Sequence, residues 1–250
     1  MTEDFNSNEL FLHGKCAVVT GGTRGIGYAI AEKLLAAGCS VSLCGRTAES
    51  VSQAVTALRA KANGGSKVVG IPTDVSHSSD VLKFFKFTDD ELGGVDIAVN
   101  NAGIGIFKKT ADLTIEEWRR VIGLNLDGVF YVTKEALDRF SKRGGGYLMQ
   151  ISSLAGKNPF AGGAAYNASK FGLNGFSEAV MLDHRYDNVR VTSIMPGSVR
   201  TDFTPGGSQS GESWKIAPED IADIVMSLLR LPARTLVSRV EVRPSKPEKS

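Results

Sequence analysis

The segment Thr20-Gly21-Gly22-Thr23-Arg24-Gly25-Ile26-Gly27 leaves an apolar run, residues 15–20, and enters a helical pattern over residues 25–37. Glycines at a strand-to-helix turn let the chain reverse tightly and let its backbone approach a ligand. The unpaired N–H groups at the start of the following helix favour an anion, and a pyrophosphate fits that description. The spacing TGxxxGxG says little by itself. Its position between the first strand and the first helix gives it weight against the competing reading of a purely structural turn.

The alternation continues along the chain. Short apolar runs at 40–44, 67–71, 95–99, 147–152, 190–194 and 237–242 predict further strands, the last at a sheet edge. Helical patterns at 48–62, 79–91, 114–141, 165–184 and 218–229 separate them. Gly38, Asn63-Gly64-Gly65 and Gly93-Gly94 read as helix stops, and Thr114 with Glu117 reads as a capping box. Continuous Val/Ile/Ala runs suit parallel strands buried on both faces. Repeated βα units joined by right-handed crossovers predict an α/β fold, a doubly wound parallel sheet of the Rossmann type. About seven strands are expected, in the order 3-2-1-4-5-6-7, with helices on both faces. The 250 residues are enough for one sizeable core. We expect a single domain with its core over residues 14–244 and frayed ends at 1–12 and 245–250. Residues 203–211, rich in Gly and Ser, form the one loop-like insertion.

Several function classes are disfavoured. A net charge of +2 does not point to a nucleic acid or a membrane surface. Cys16, Cys39 and Cys44 are an odd set without CxxC spacing, and His13, His77 and His184 show no ligand spacing, so no disulfide framework or metal is expected. Cys16 and Cys44 fall in apolar runs where a buried, inert thiol is the ordinary state. The opening MTEDFNSNELFLHGK lacks a charged stretch followed by an apolar one. No run approaches the ~20 apolar residues that span a bilayer. A cytoplasmic, reduced protein is expected.

The second predicted strand ends in Cys44-Gly45-Arg46-Thr47, with no carboxylate to accept a ribose 2′-hydroxyl. Arg46 stands where the acid would be, and Arg24 offers a second guanidinium from the glycine turn. Two planar cations suit a 2′-phosphate, so NADP(H) is favoured over NAD(H). The competing reading is that both arginines are solvated surface charges.

Tyr166 and Lys170 stand four apart at the start of a helix and share a face. A phenol titrates near 10 in isolation, and a neighbouring ammonium would ease its ionisation. Alone, such a pair is an ordinary helix pair. Other polar segments converge on the same sheet edge, however. Ser152 and Ser153 close the fifth strand, Asn100-Asn101-Ala102-Gly103 follows the fourth, and Pro196-Gly197 follows the sixth. Asn125 lies within a helical pattern that a short amide disfavours.

Taken in order, these segments resemble the short-chain dehydrogenase/reductase family across residues 14–244, most closely in look the bacterial 3-oxoacyl-acyl-carrier-protein reductases. The segments that carry the resemblance are TGGTRGIG, Asp74-Val75, NNAG, Asn125 in GLNLDG, ISS ending at Ser153, YNASK at Tyr166 to Lys170, and PGSVRT. The resemblance implies hydride transfer between a nicotinamide and a carbonyl or secondary alcohol. Tyr166 would be the acid–base, Lys170 would depress its pKa and hold the ribose hydroxyls, and Ser153 would hydrogen-bond the substrate carbonyl. Asn125 would anchor a water linking Lys170 to solvent. Gly21, Thr23, Arg24, Gly25, Ile26 and Gly27, with Arg46 and Thr47, are the expected phosphate and ribose contacts. Asp74 and Val75 would flank the adenine, and Asn101, Ala102 and Gly103 would line the adenosine side. Pro196, Gly197, Val199 and Thr201 would meet the carboxamide end. The C-terminal VSRVEVRPSKPEK lacks the small-residue, glycine-pair tail of the acyl-carrier enzymes.

Two rival readings are a sugar-nucleotide epimerase of the extended branch and a non-catalytic, NADP(H)-binding regulator or scaffold on the same fold. Apolar Val129, Phe130, Phe171 and Phe176, outside the expected sheet-facing stripes, predict helix-to-helix assembly into a homodimer or homotetramer.

Overall fold

A computed structural model describes residues 10–201, 203 and 213–247. Cys16–Thr20 (β1), Ser40–Gly45 (β2), Val68–Pro72 (β3), Ile97–Asn100 (β4), Gly146–Ile151 (β5), Val189–Pro196 (β6) and Arg239–Val242 (β7) form one parallel sheet. Its order is β3-β2-β1-β4-β5-β6-β7, the predicted topology. The helices are Gly25–Ala36 (α1), Ala48–Arg59 (α2), Ser78–Leu92 (α3), Ile115–Ile122 (α4), Gly128–Arg143 (α5), Ala164–His184 (α6) and Pro218–Leu229 (α7).

The uniformly apolar strands reflect two cores, one on each face of the sheet. Ala17 and Val19 of β1 pack with Leu34 of α1 and Val225 of α7. Val18 between them points the other way, toward Phe84 of α3 and Phe140 of α5. A strand covered on both sides has no polar alternation to display. Strand order reverses between β1 and β4, and at such a point the helices on either side part and leave a crevice at the carboxyl edge.

The helix predicted over residues 114–141 is interrupted. Thr114 caps its start in the expected capping box with Glu117. After Ile122 the ladder widens into a π-helical turn, Gly123–Asp127, before α5 begins. Asn125 sits in that turn, fully buried. The periodicity of apolar residues continues through the turn, so it gives no sign of the break. Short 3-10 turns at Thr110–Asp112, Leu154–Gly156 and Arg185–Asp187 also lie below the reach of a periodicity argument.

Residues 10–12, expected to fray, are packed. Leu12 is buried and its N–H donates to the Ala37 carbonyl at 3.1 Å, while the Arg230 guanidinium stacks 4.2 Å from the Phe11 ring centre. Residues 1–9 and 248–250, and the 203–211 loop apart from Phe203, lie outside the described residues. Val129 is buried rather than presented outward, whereas Phe130 and Phe171 are exposed and Phe176 is partly buried against the second core. All three thiols are unbridged and buried, and burial pushes Cys44 up to about 12. Among the described residues no helix is long and apolar enough to cross a membrane.

Candidate active site

The glycine turn is built as its sequence demands. Gly21 and Gly25 have φ of +62° and +56°, a region that favours glycine. A methyl at Gly27 would overlap the Asn101 amide and the Gly21 carbonyl, so α1 can begin this close to β4 only without a side chain there. The Asn101 amide donates to the carbonyls of Thr20 at 3.0 Å and Gly21 at 3.1 Å. Its backbone N–H and that of Ala102 donate to the Thr20 hydroxyl at 3.0 and 3.1 Å. The NNAG segment thus braces the turn from behind. In front, the N-terminus of α1 has no side-chain cap and no acidic residue in its first turn. Its N–H groups and the positive end of its dipole remain available to an anion.

This turn opens onto a cleft of about 600 Å³. Of the predicted cofactor contacts, Gly21, Thr23, Arg24, Gly25, Ile26, Arg46, Val75, Asn101, Ala102, Gly103, Pro196, Gly197, Val199 and Thr201 line it. Ser153, Tyr166 and Lys170 line it too. Among the described residues that line the cleft there is no carboxylate, which fits a phosphate-rich guest.

Four predicted residues stand back from the wall. Gly27 is inside α1. Thr47 caps α2, its hydroxyl accepting the Ser50 N–H at 3.2 Å. Asp74 borders a smaller cleft that it shares with Arg46. Its carboxylate accepts the Ser76 hydroxyl at 2.6 Å and the Ser76 N–H at 3.0 Å. Partial burial opposes its ionisation, but these bonds and the charges of His77 and Arg46 hold it below the ordinary carboxylate range. Asn125, the fourth, is tied in both directions to the backbone of Ile104 and donates to the Ser169 hydroxyl at 3.1 Å. With both amide hydrogens engaged, only a carbonyl lone pair of its side chain is left for the expected water.

Tyr166 is almost wholly buried. Burial pushes its phenol above the ordinary value, and the nearby Ser153 side chain only partly offsets this. Ser153 in turn accepts the Ala155 N–H at 3.1 Å, which fixes its oxygen. Desolvation is the larger of the influences on Tyr166. The Lys170 ammonium lies 5.8 Å from the Tyr166 ring centre and donates to the Ile151 carbonyl at 2.9 Å. Burial brings Lys170 itself down to about 8.

Several supporting residues escaped the sequence reading. Ser169 donates to the Tyr166 carbonyl at 2.8 Å, linking the tyrosine helix to Asn125. Asn174 accepts hydrogen bonds from Ser152 at 2.7 Å and Ser193 at 2.9 Å, and so locks α6 to the end of β5 and to the middle of β6. Its position four residues beyond Lys170, on the same helix face, was the available signal. Phe107, Phe160 and Phe203 also surround the tyrosine, but they come from three separate segments and share no sequence spacing.

A parallel sheet whose switch point opens beside a glycine turn, with Ser153, Tyr166 and Lys170 on the wall of the same crevice, is the arrangement of a dinucleotide-binding oxidoreductase. The chain belongs to the short chain dehydrogenase family, whose model matches residues 15–210. An uncharacterized oxidoreductase of Staphylococcus epidermidis is 34% identical over 230 residues, covering 92% of this chain and 97% of its own. An alcohol dehydrogenase from the archaeon Thermococcus sibiricus, solved with 5-hydroxy-NADP, superposes with a TM-score of 0.85 at 32% identity. That match covers 94% of this chain and 99% of the archaeal one. A metagenomic short-chain oxidoreductase in complex with NADP gives a TM-score of 0.82 at 36% identity, over 96% of this chain and 100% of its own.

Proposed function

We propose that this chain is an NADP(H)-dependent oxidoreductase interconverting a carbonyl compound and the corresponding alcohol, a secondary one where the carbonyl is a ketone, with Tyr166 as the proton donor in reduction and the base in oxidation. The observation that carries the reading is the convergence of Ser153, Tyr166 and Lys170 on the wall of the cleft into which the glycine turn opens. When bound, the dinucleotide supplies or accepts the hydride.

The chain's own groups divide the remaining work. The α1 N-terminus and the glycine turn would hold the pyrophosphate, Arg24 and Arg46 the 2′-phosphate, and Tyr166 with Lys170 the ribose hydroxyls. Burial keeps the Tyr166 phenol protonated, so it carries the proton that a reduced carbonyl oxygen needs. As that proton leaves, a phenolate remains. Lys170, with a pKa of about 8, is still an ammonium at neutral pH and favours the same ion. Ser153 also offers its hydroxyl to the substrate oxygen, in a site whose donors are fixed before the substrate arrives. Proton return to Tyr166 would pass through Lys170 and a water at Asn125.

The NADP-bound relatives and the paired arginines support the choice of cofactor. We further propose one domain, a cytoplasmic location, and a homodimer or homotetramer that covers the exposed rings of Phe130 on α5 and Phe171 on α6.

The test is fluorescence titration of the purified protein with NADPH and NADH side by side, followed by a panel of ketones and aldehydes with NADPH oxidation as the readout. The expected result is tighter binding of NADPH together with turnover. Binding without turnover on any carbonyl would favour a regulator on the same fold, and no binding of either dinucleotide would overturn the reading of the glycine turn.

A further inference from the structure

Three phenylalanines from three separate segments ring the Tyr166 side chain. Phe107, in the loop after β4, meets the tyrosine ring edge-on, with centroids 5.7 Å apart and planes at 79°. Phe203, beyond β6, lies at 5.5 Å and 56°, and Phe160, ahead of α6, at 6.5 Å and 49°. Phe107 and Phe160 also touch each other, at 5.6 Å. All three line the cleft and remain 36% to 46% exposed around a tyrosine that is 9% exposed. Isolated exposed rings are unremarkable. Three of them around one buried acid form a contiguous apolar surface, the kind that marks a binding site.

The backbone is arranged to hold these rings. The Lys108 N–H donates to the Gly162 carbonyl at 2.8 Å, pinning the Phe107 loop to the Phe160 loop. The Asn167 amide donates to the Phe160 carbonyl at 2.9 Å. A methyl at Gly105 would run into Phe107 and Phe203, and one at Gly163 would run into Phe160. Two glycines therefore clear the space that the rings occupy.

The rings narrow the guest. Aromatic side chains pack favourably against flat apolar rings, edge to face or offset. Phe107, Phe160 and Phe203 present such rings on the same wall of the cleft as Tyr166.

We propose, resting on the carbonyl-reductase reading above, that Phe107, Phe160 and Phe203 form a cage for a planar ring and that the substrate is an aryl aldehyde or aryl ketone. Packing of the aryl group against these rings brings its carbonyl to Tyr166, the fourth wall. The carbonyl carbon takes a hydride from reduced nicotinamide dinucleotide, the oxygen takes the Tyr166 proton, and a benzylic alcohol leaves.

The test compares kcat/KM for benzaldehyde and heptanal, which have equal carbon number, in the wild type and in Phe107→Leu and Phe160→Leu. Leucine keeps an apolar side chain and removes the ring face, so the fold is not at risk at these partly exposed positions. The wild type should favour benzaldehyde by about tenfold or more, as summed ring contacts would give. Each variant should cut that ratio severalfold, through KM rather than kcat. A wild-type ratio near one, or variants that slow both aldehydes equally, would overturn the cage while leaving the oxidoreductase reading intact. A second measurement is equilibrium binding of benzamide and hexanamide, neither reducible here, to the NADPH-loaded protein. Tighter benzamide binding that both variants lose supports the cage even if no carbonyl turns over, a result that would count against the oxidoreductase reading alone. Equal binding of the two amides would overturn the cage.

Discussion

The side-chain amide of Asn125 grips the backbone of Ile104 from both sides, accepting its N–H and donating to its carbonyl, each at 2.9 Å. This joins the π-helical turn to the loop that follows β4, and Asn125 is fully buried while it does so. A third bond, to Ser169, extends the link to the tyrosine helix.

Asn125→Ala should therefore leave the partly buried N–H and carbonyl of Ile104 without their partner and remove one of the two bonds of the Ser169 hydroxyl. The expected loss of stability is about 2 kcal/mol or more. Asn125→Asp should also destabilise, since a carboxylate can accept the Ile104 N–H but cannot donate to its carbonyl. Urea denaturation of the three proteins checks this, and an unchanged midpoint in Asn125→Ala would show that the grip adds nothing to stability.

Tyr166→Phe removes the proton donor and little else. Loss of a general acid should lower kcat by about a hundredfold or more. The accompanying loss of NADPH affinity should be far smaller, because most of the dinucleotide's partners lie on the glycine turn. Steady-state kinetics beside NADPH titration separates the two effects, and near-normal turnover would refute the assigned chemistry.

For Arg46→Ala the expected change is selective. A charge-assisted contact to a 2′-phosphate is worth about 1.5–3 kcal/mol, so the NADPH dissociation constant should rise by about tenfold or more. NADH, which lacks that phosphate, should bind nearly as before. Equal weakening of both cofactors would take Arg46 out of the phosphate site.

Lys170 predicts a pH dependence of stability with a definite sign. Its pKa is about 8 in the folded protein against a reference value of 10.5. Between those values the unfolded chain holds a proton that the folded one has lost, so stability should rise with pH. Below pH 8 both states are protonated, and the folded state bears the whole burden of a buried ammonium. Tyr166, raised by burial, acts in the opposite direction above about pH 10, where the unfolded phenol ionises first. The three buried thiols, also raised by burial, oppose the rise from about pH 9, so the window from pH 8 to about 10 is read against a variant that shares them. Denaturant midpoints measured across it should climb in the wild type relative to Lys170→Met, and parallel curves would contradict the assignment.

Much of the site was legible because its parts are local in the chain. The glycine turn, the NNAG segment, the strand-closing serines and the Tyr166–Lys170 pair each span a few residues, and strand–helix alternation assigns them to one edge of the sheet. The capping box at Thr114 and the buried strands were legible for the same reason. Other features were hidden. The π turn at Asn125 continues the apolar periodicity of its neighbours and betrays itself only through partners at Ile104 and Ser169. Val129 looked outward by its spacing because that spacing was counted on an unbroken helix.

The sequence by itself determined the fold, its strand order and the chemical types of the groups at the cleft, because strand, turn and helix preferences act over short separations. Tertiary structure alone decided the state of those groups. It raised Tyr166 and lowered Lys170 by taking both out of water, and it aimed the Lys170 ammonium at the Ile151 carbonyl. It also gathered Phe107, Phe160 and Phe203 around one phenol. Desolvation and long-range packing depend on what surrounds a side chain in space, and no local pattern of residues encodes that.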